Sequence, residues 1–324
     1  MRRVPWPVKF GALAVIWGSS FLLMKVGLDA LAPVQIATLR IVTGALTVLT
    51  AALAMGVRLP PFGRIWGHLA VAGLVLCSIP FVLFPLGEER VSSALAGIGN
   101  ATTPLSAVLF TVLLLPASRP DRRTVLAVVT GFLGVVVILQ PWEAQGRPDM
   151  VGFAMTLLAG ASYGLGWTYV KRFLSKDDLG GLGMPAAQLL MAALQMVVVN
   201  LVWWWLHGST TGMAAPWSPV PGSGSVLWPL AAILVLGVVG TGLAFVLQYD
   251  VVREVGPTVG ATVTYVIPVV AVILGMVFLD ERLQWPQVVG AVIVLASAVV
   301  IGRPRRGPVP TGEVPEEEVI HRAR

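Results

Sequence analysis

Charge is scarce in this chain. Only 12% of its 324 residues are Asp, Glu, Lys or Arg, about half the usual share in a soluble domain. So few charges cannot cover a surface that faces water, so a soluble globule is excluded and the chain reads as an integral membrane protein. Cysteine is almost missing too. Cys77 stands alone inside an apolar run, which excludes an intramolecular disulfide framework and a cysteine metal site. His68, His207 and His321 fall at the ends of apolar runs or in the tail. With no His-Glu-x-x-His and no Gly-x-Ser-x-Gly, the sequence offers no nucleophile–base pair and no metal cluster. It therefore points away from an enzyme and implies no cofactor. The basic excess shows no basic-aromatic patch of a nucleic-acid module. No Asp or Glu lies near the middle of an apolar run: Asp29, Glu88, Glu89, Asp250, Asp280 and Glu281 are all at ends. That removes the buried carboxylate through which proton-coupled carriers commonly relay.

Apolar runs are abundant. About 20 apolar residues cross a bilayer as a helix, and ten runs qualify: 8–28, 33–56, 66–87, 91–115, 123–140, 150–172, 184–206, 226–249, 256–279 and 285–302. Backbone groups in hydrocarbon must be satisfied within the segment, and no period-2 barrel pattern is present, so the runs are predicted as helices. Charge placement fixes the orientation. With the N-terminus inside, the inner segments collect Arg2, Arg3, Lys9, Arg58, Arg64, Arg119, Arg122, Arg123, Lys171, Arg172, Lys176, Arg253 and the arginines after Gly302, while the outer loops hold Arg90, Arg147 and Arg282. Basic residues gather on the cytoplasmic side, which places both termini there in a multi-pass inner-membrane protein. The basic start, MRRVPWPVK, precedes a long run followed by many more, so it reads as a retained signal anchor. Residues 303–324 are charged and proline-rich, and read as a disordered cytoplasmic tail.

The chain also repeats itself. PLSAV at Pro104–Val108 returns as PVVAV at Pro268–Val272, a shift of 164 residues. Trp17-Gly18 followed by Lys25 returns as Tyr163-Gly164 followed by Lys171, a shift of 146. The Pro/Gly/Ser-rich outer loop His207–Ser225 absorbs much of the difference and is expected to be flexible. Residues 8–140 and 150–302 thus form two five-span halves. Because five is odd, the second enters the membrane upside down, and inverted repeats around a central cavity are the architecture of secondary transporters.

Three stretches carry a resemblance: IWGSSFLLMKVGL (Ile16–Leu28), ATLRIVTGAL (Ala37–Leu46) and LDERLQWPQVVGAVIVLASAVVI (Leu279–Ile301). In this order they resemble the EamA-type branch of the drug/metabolite transporter superfamily, over residues 10–302 in two copies. The resemblance implies a ten-helix carrier with a central cavity that moves small metabolites, amino acids or related compounds in many members. Two features depart from it. Pro116–Arg123 lacks the glutamate that the second half keeps as Glu281, and the seventh span offers Gln188 and Gln195 where the second has Arg40.

Paired interruptions at mirror positions point to a transporter's site. Pro104 and Pro268 are such a pair and are expected to be helix hinges, with Asn100, Thr103, Thr264 and Tyr265 just before them lining the cavity. The alternative is hydrogen-bond glue around a packing kink. Trp17 and Ser20 share a face of the first span, and Tyr163 and Trp167 one of the sixth. Either pair is a wall for a substrate or ordinary core. Gln188 and Gln195, seven apart, line the cavity or bridge helices. Gly160-x-x-x-Gly164 suits a close internal contact or a homodimer seam, and leaves monomer and homodimer open. The Trp203–Trp205 run reads as an interfacial belt, and Lys25 and Lys171 as snorkelling to headgroups.

Arg40 cannot be dismissed so easily. It lies seven residues into its span, roughly 10 Å deep. A permanently charged fork is costly against lipid, so it faces the bundle. It either receives a carboxylate of a substrate or clamps helix ends through carbonyls and Asp29, Glu88 or Glu89. A single cavity arginine argues against a nucleotide-sugar cargo, which needs several cations for its phosphates. A small amphipathic zwitterion, exported by alternating access, is the expected substrate, with a drug or nucleotide-sugar carrier of the same fold as the alternative.

Overall fold

The computed structural model describes residues 4–91, 93–116, 120–143, 149–177, 181–270 and 285–302. Among them every regular element is helical. The helices are α1 (Trp6–Leu28), α2 (Pro33–Ala54), α3 (Arg64–Glu88), α4 (Ser93–Ala101 and, past Thr102, Thr103–Leu114) and α5 (Arg122–Leu139). They are followed by α6 (Met150–Phe173), α7 (Gly183–Thr211), α8 (Leu227–Ala261), α9 (263–270) and α10 (Trp285–Gly302). Pro33 opens α2 in the first helical turn, where a missing N–H costs nothing. Asp121 and Asp149 cap α5 and α6, the latter accepting from the Val151 and Gly152 backbone N–H groups at 2.9 Å each. Those bonds, that of Gly152 foremost, hold the exposed Asp149 carboxyl below its ordinary value.

Among the described residues eight helices, α1 to α8, are long and apolar enough to cross a membrane. α8 counts 35 residues, about 50 Å if straight, which exceeds the roughly 30 Å of hydrocarbon. It breaks at Gly256, whose φ of 85° only glycine adopts readily, and Pro257 starts the next helical run. The break falls at the boundary expected between the eighth and ninth spans, 226–249 and 256–279. The remainder of the expected ninth span and the turn with Glu281 fall in residues 271–284, outside the described residues, as does the tail from residue 303. α10 has a 17-residue apolar core, Trp285–Ile301.

Repeat symmetry is visible in the backbone. α3 contains a π-helical turn at Leu74–Ser78 and α8 one at Val238–Leu243, related by the shift of 164 that relates Pro104 to Pro268. A π turn leaves a carbonyl without its i+4 partner and re-aims the side chains around it. Each lies where a helix of the other half crosses. Gly44 of α2 meets Thr241 and the Gly237 carbonyl, and Gly73 of α3 meets Gln188 and Ala192 of α7.

Glycines also set the α4–α6 contact. A Cβ on Gly160 would collide with the Gly99 carbonyl, and one on Gly164 with Ser106 and the Ala107 nitrogen. The Gly160-x-x-x-Gly164 face is therefore occupied within the chain. Across this contact the Thr103 hydroxyl donates to the Gly160 carbonyl at 3.1 Å. Hydroxyls elsewhere donate back into their own helices, as Thr38 does to the Val34 carbonyl at 2.7 Å, which satisfies them without water.

The loop after α7, expected to be flexible, is tied down. Its prolines remove donors but leave carbonyls, and these find amides: Gln35 Nε2 donates to the Pro216 and Ser218 carbonyls at 3.0 and 2.8 Å, and Asn200 Nδ2 to Pro216 at 3.1 Å. Trp204, expected in an interfacial belt, donates through Nε1 to the Met213 carbonyl of the same loop, while Trp205 is exposed.

Candidate functional site

Six helices and the short α9 surround a cavity of about 70 Å³, enough for several water-sized groups. α1 contributes Trp17, Ser20 and Met24; α2 contributes Arg40; α3 contributes Phe81 and Phe84. Asn100 and Thr103 come from α4, Tyr163 and Trp167 from α6, Phe245, Gln248 and Ala261 from α8, and Val263, Thr264 and Ile267 from α9. The wall is aromatic: the Phe81 ring meets Tyr163 and Phe245 edge-on at centroid separations of 6.3 and 6.4 Å, and Trp167 lies 5.9 Å from Phe245.

Eight of the residues singled out in the sequence share this cavity: Trp17, Ser20, Arg40, Asn100, Thr103, Tyr163, Trp167 and Thr264. Three do not, and each has a physical reason to be elsewhere. Tyr265 is fully buried against α5, its hydroxyl donating to the Val128 carbonyl at 2.7 Å. Tyr265→Phe is therefore expected to cost about 1 kcal/mol by removing that buried hydrogen bond. A thermal melt would show this, with ligand affinity unchanged. Gln188 is buried, accepts from the Tyr249 hydroxyl and faces the Cys77 thiol at 3.9 Å. Gln195 accepts from Ser78 at 2.9 Å and donates to the Ala70 carbonyl at 2.8 Å. Both glutamines bridge α7 to α3 around its π turn.

Pro104 and Pro268, expected as helix hinges, each follow an interruption of their helix. α4 is interrupted at Thr102, so Pro104 falls in the first turn of its second segment, and a turn at Thr262 precedes the segment that holds Pro268.

Arg40 is 8% exposed. Its guanidinium lies over the Phe81 ring, 3.8 Å from the centroid, a favourable cation–π placement. Its Nε donates to Thr241 Oγ1 at 2.8 Å, and the Thr241 hydroxyl in turn donates to the Leu236 carbonyl at 3.3 Å. That last bond spans five residues, so the π turn of α8 both frees the carbonyl and sets the threonine under the arginine. The expected clamp to Asp29, Glu88 or Glu89 is not formed: among the described residues no carboxylate pairs with Arg40. The Arg40–Thr241 and Gln188–Cys77 pairs are repeat mates, since Thr241 and Cys77 are 164 apart and both crossings use the π turns. One half places a charge at this crossing and the other a neutral amide already bonded on both sides.

Where α1 begins, the bundle is closed by ion pairs. Lys9, with a side chain 12% exposed, contacts Asp250 at 3.1 Å and Glu254 at 3.9 Å, and Asp250 also takes Arg253 at 2.8 Å.

Sequence reasoning missed Met24, Phe81, Phe84, Phe245, Gln248, Ala261, Val263 and Ile267. One signal was available: Phe81 and Phe245 differ by 164, as do Phe84 and Gln248, so applying the shift of the proline pair to α3 and α8 pairs the positions that face the cavity.

A bundle of apolar helices in two related halves, with a polar-and-aromatic cavity among them, defines a membrane transporter. The chain belongs to the EamA-like transporter family, whose model matches residues 7–140 and 150–303, one copy per half. It is 24% identical over 287 residues to Protein PecM of Dickeya dadantii, covering 88% of each chain. It is 23% identical over 296 residues to the uncharacterized inner membrane transporter YedA of Escherichia coli K12, covering 90% of this chain and 89% of that one. A solved crystal structure shares the fold at a TM-score of 0.68 and 20% identity, over 90% of this chain and 94% of its own.

Proposed function

We propose that this transporter is a carrier for small amphipathic metabolites, amino acids or close relatives, which it exports across the inner membrane by alternating access. The observation that carries this is Arg40. A buried guanidinium without a protein carboxylate is short of a counter-ion. With Nε held by Thr241, the two terminal nitrogens remain as a fork that matches a carboxylate. The aromatic wall suits an apolar body, and a single cation does not suit a diphosphate. The proposal places ten spans in two inverted halves with both termini cytoplasmic, in line with the basic residues of the inner segments. Movement is down the gradient, because among the described residues no carboxylate lines the cavity.

The test is flux in liposomes that hold the purified protein, against protein-free liposomes, with a panel of labelled amino acids and an internal pH indicator. Saturable flux of at least one amino acid without stoichiometric proton movement is expected. Absence of flux for every amino acid would overturn the substrate, and a fixed proton ratio would overturn the facilitator.

A further inference from the structure

One polar group of the cavity lining, Gln248, lies outside the proline-marked pairs. Gln248 is 1% exposed and lines the cavity. Its Nε2 donates to the Gly260 carbonyl at 3.1 Å. This fixes which way the amide faces, since a carbonyl can be met only by the NH₂ end. The Oε1 is therefore turned away from Gly260, and among the described residues it has no hydrogen-bond partner. A buried acceptor without a donor is costly unless a ligand supplies one. Its repeat mate, 164 residues earlier, is Phe84, which also lines the cavity but has no polar atom. The second half has thus put an acceptor where the first has a ring.

The position of this acceptor relative to Arg40 can be read along α8. Arg40 is bonded to Thr241, and Gln248 lies seven residues further along the same helix, about 10 Å at 1.5 Å per residue. Phe245 stands between them on the wall, beside Phe81 under the guanidinium. An α-ammonium, two bonds from its carboxylate carbon, cannot reach Gln248 while the carboxylate is on Arg40.

We propose that Gln248 is a specificity-determining residue. Its Oε1 accepts a hydrogen bond from a donor at the far end of the substrate, so the preferred cargo is a carboxylate joined through an aromatic or apolar body to a distal O–H or N–H. This rests on the reading of Arg40 as the carboxylate site.

The test compares tyrosine with phenylalanine, which differ only in the distal hydroxyl. Binding to the purified full-length protein in nanodiscs is followed by the fluorescence of Trp17 and Trp167, both in the cavity wall. Tyrosine is expected to bind about tenfold more tightly than phenylalanine. In Gln248→Met the tyrosine-over-phenylalanine preference should vanish. In Gln248→Glu, which keeps an acceptor, the preference should persist. Equal wild-type affinities, or a preference that survives in Gln248→Met, would each overturn the proposal. Arg40→Gln separates the two readings. If wild type binds both ligands equally and the variant neither, only the role of Gln248 falls. If wild type binds neither ligand, both fall.

Discussion

Arg40→Gln is expected to weaken binding of a carboxylate substrate about a hundredfold, and to leave the ligand-free protein as stable as the wild type or slightly more so. The two halves of that expectation come from the same geometry. A two-pronged, charge-assisted contact in a water-poor cavity is worth about 3 kcal/mol when one partner is truncated, which is roughly two decades in Kd. Without substrate, however, the buried guanidinium meets Thr241 and the Phe81 ring and, among the described residues, no carboxylate. Removing such a charge relieves a desolvation penalty instead of breaking an ion pair. A clamp between helix ends would behave the other way, losing Tm and keeping affinity. Isothermal titration and thermal melting of the same preparation therefore decide between binding and clamping. Thr241→Val should show a smaller affinity loss, about tenfold, because the charge remains and only its orientation through Nε is released. Arg40→Lys should fall between the two, since an ammonium keeps the charge but has no fork.

Gly164→Leu is expected to abolish the folded transporter. A Cβ at this position would lie 2.5 Å from the Ala107 nitrogen and 2.7 Å from the Thr103 carbonyl oxygen, backbone atoms that can move only if α4 moves as a whole. Overpacking of a close-packed contact costs up to about 3 kcal/mol, more where backbone must shift, a large share of a net stability of about 5–15 kcal/mol. Loss of the monodisperse peak in size-exclusion chromatography and a melt lowered by ten degrees or more would report it. Gly11→Leu is the control, because nothing lies within 4 Å of a Cβ there. If both variants behave alike, close approach at Gly164 is not what holds α4 to α6.

The separate fates of the polar residues show how far the sequence can be read. Arg40 was legible as bundle-facing because a permanent charge seven residues into an apolar run has few inexpensive places to go. Asn100 and Thr103 were legible because proline marks an interruption and the repeat supplies a second one. The glutamines were not separable. Gln188, Gln195 and Gln248 are all mid-run amides, yet Gln188 and Gln195 are bonded between α3 and α7 while Gln248 lines the cavity and its buried Oε1 has no hydrogen-bond partner among the described residues. The phenylalanines were illegible for a related reason. A cavity wall and a lipid-free core are equally apolar, so hydropathy assigns Phe81 and Phe245 to either.

What the sequence by itself determined is therefore the part set by solvent: membrane-spanning helices, a duplicated half, the family, and the expectation that one buried cation serves the interior. These follow because hydrocarbon penalises every unsatisfied polar group, and the penalty is written residue by residue. Tertiary structure decided which crossings meet. The two π turns carry no signature in hydropathy, because re-aiming a helix by one residue changes no side chain. Only packing shows that the turn at Val238–Leu243 sets Thr241 under Arg40 while its mate at Leu74–Ser78 sets Cys77 beside Gln188. The asymmetry of the cavity, with a guanidinium at one level and the Gln248 amide about two helix turns away, results from those crossings and from no single stretch of the chain.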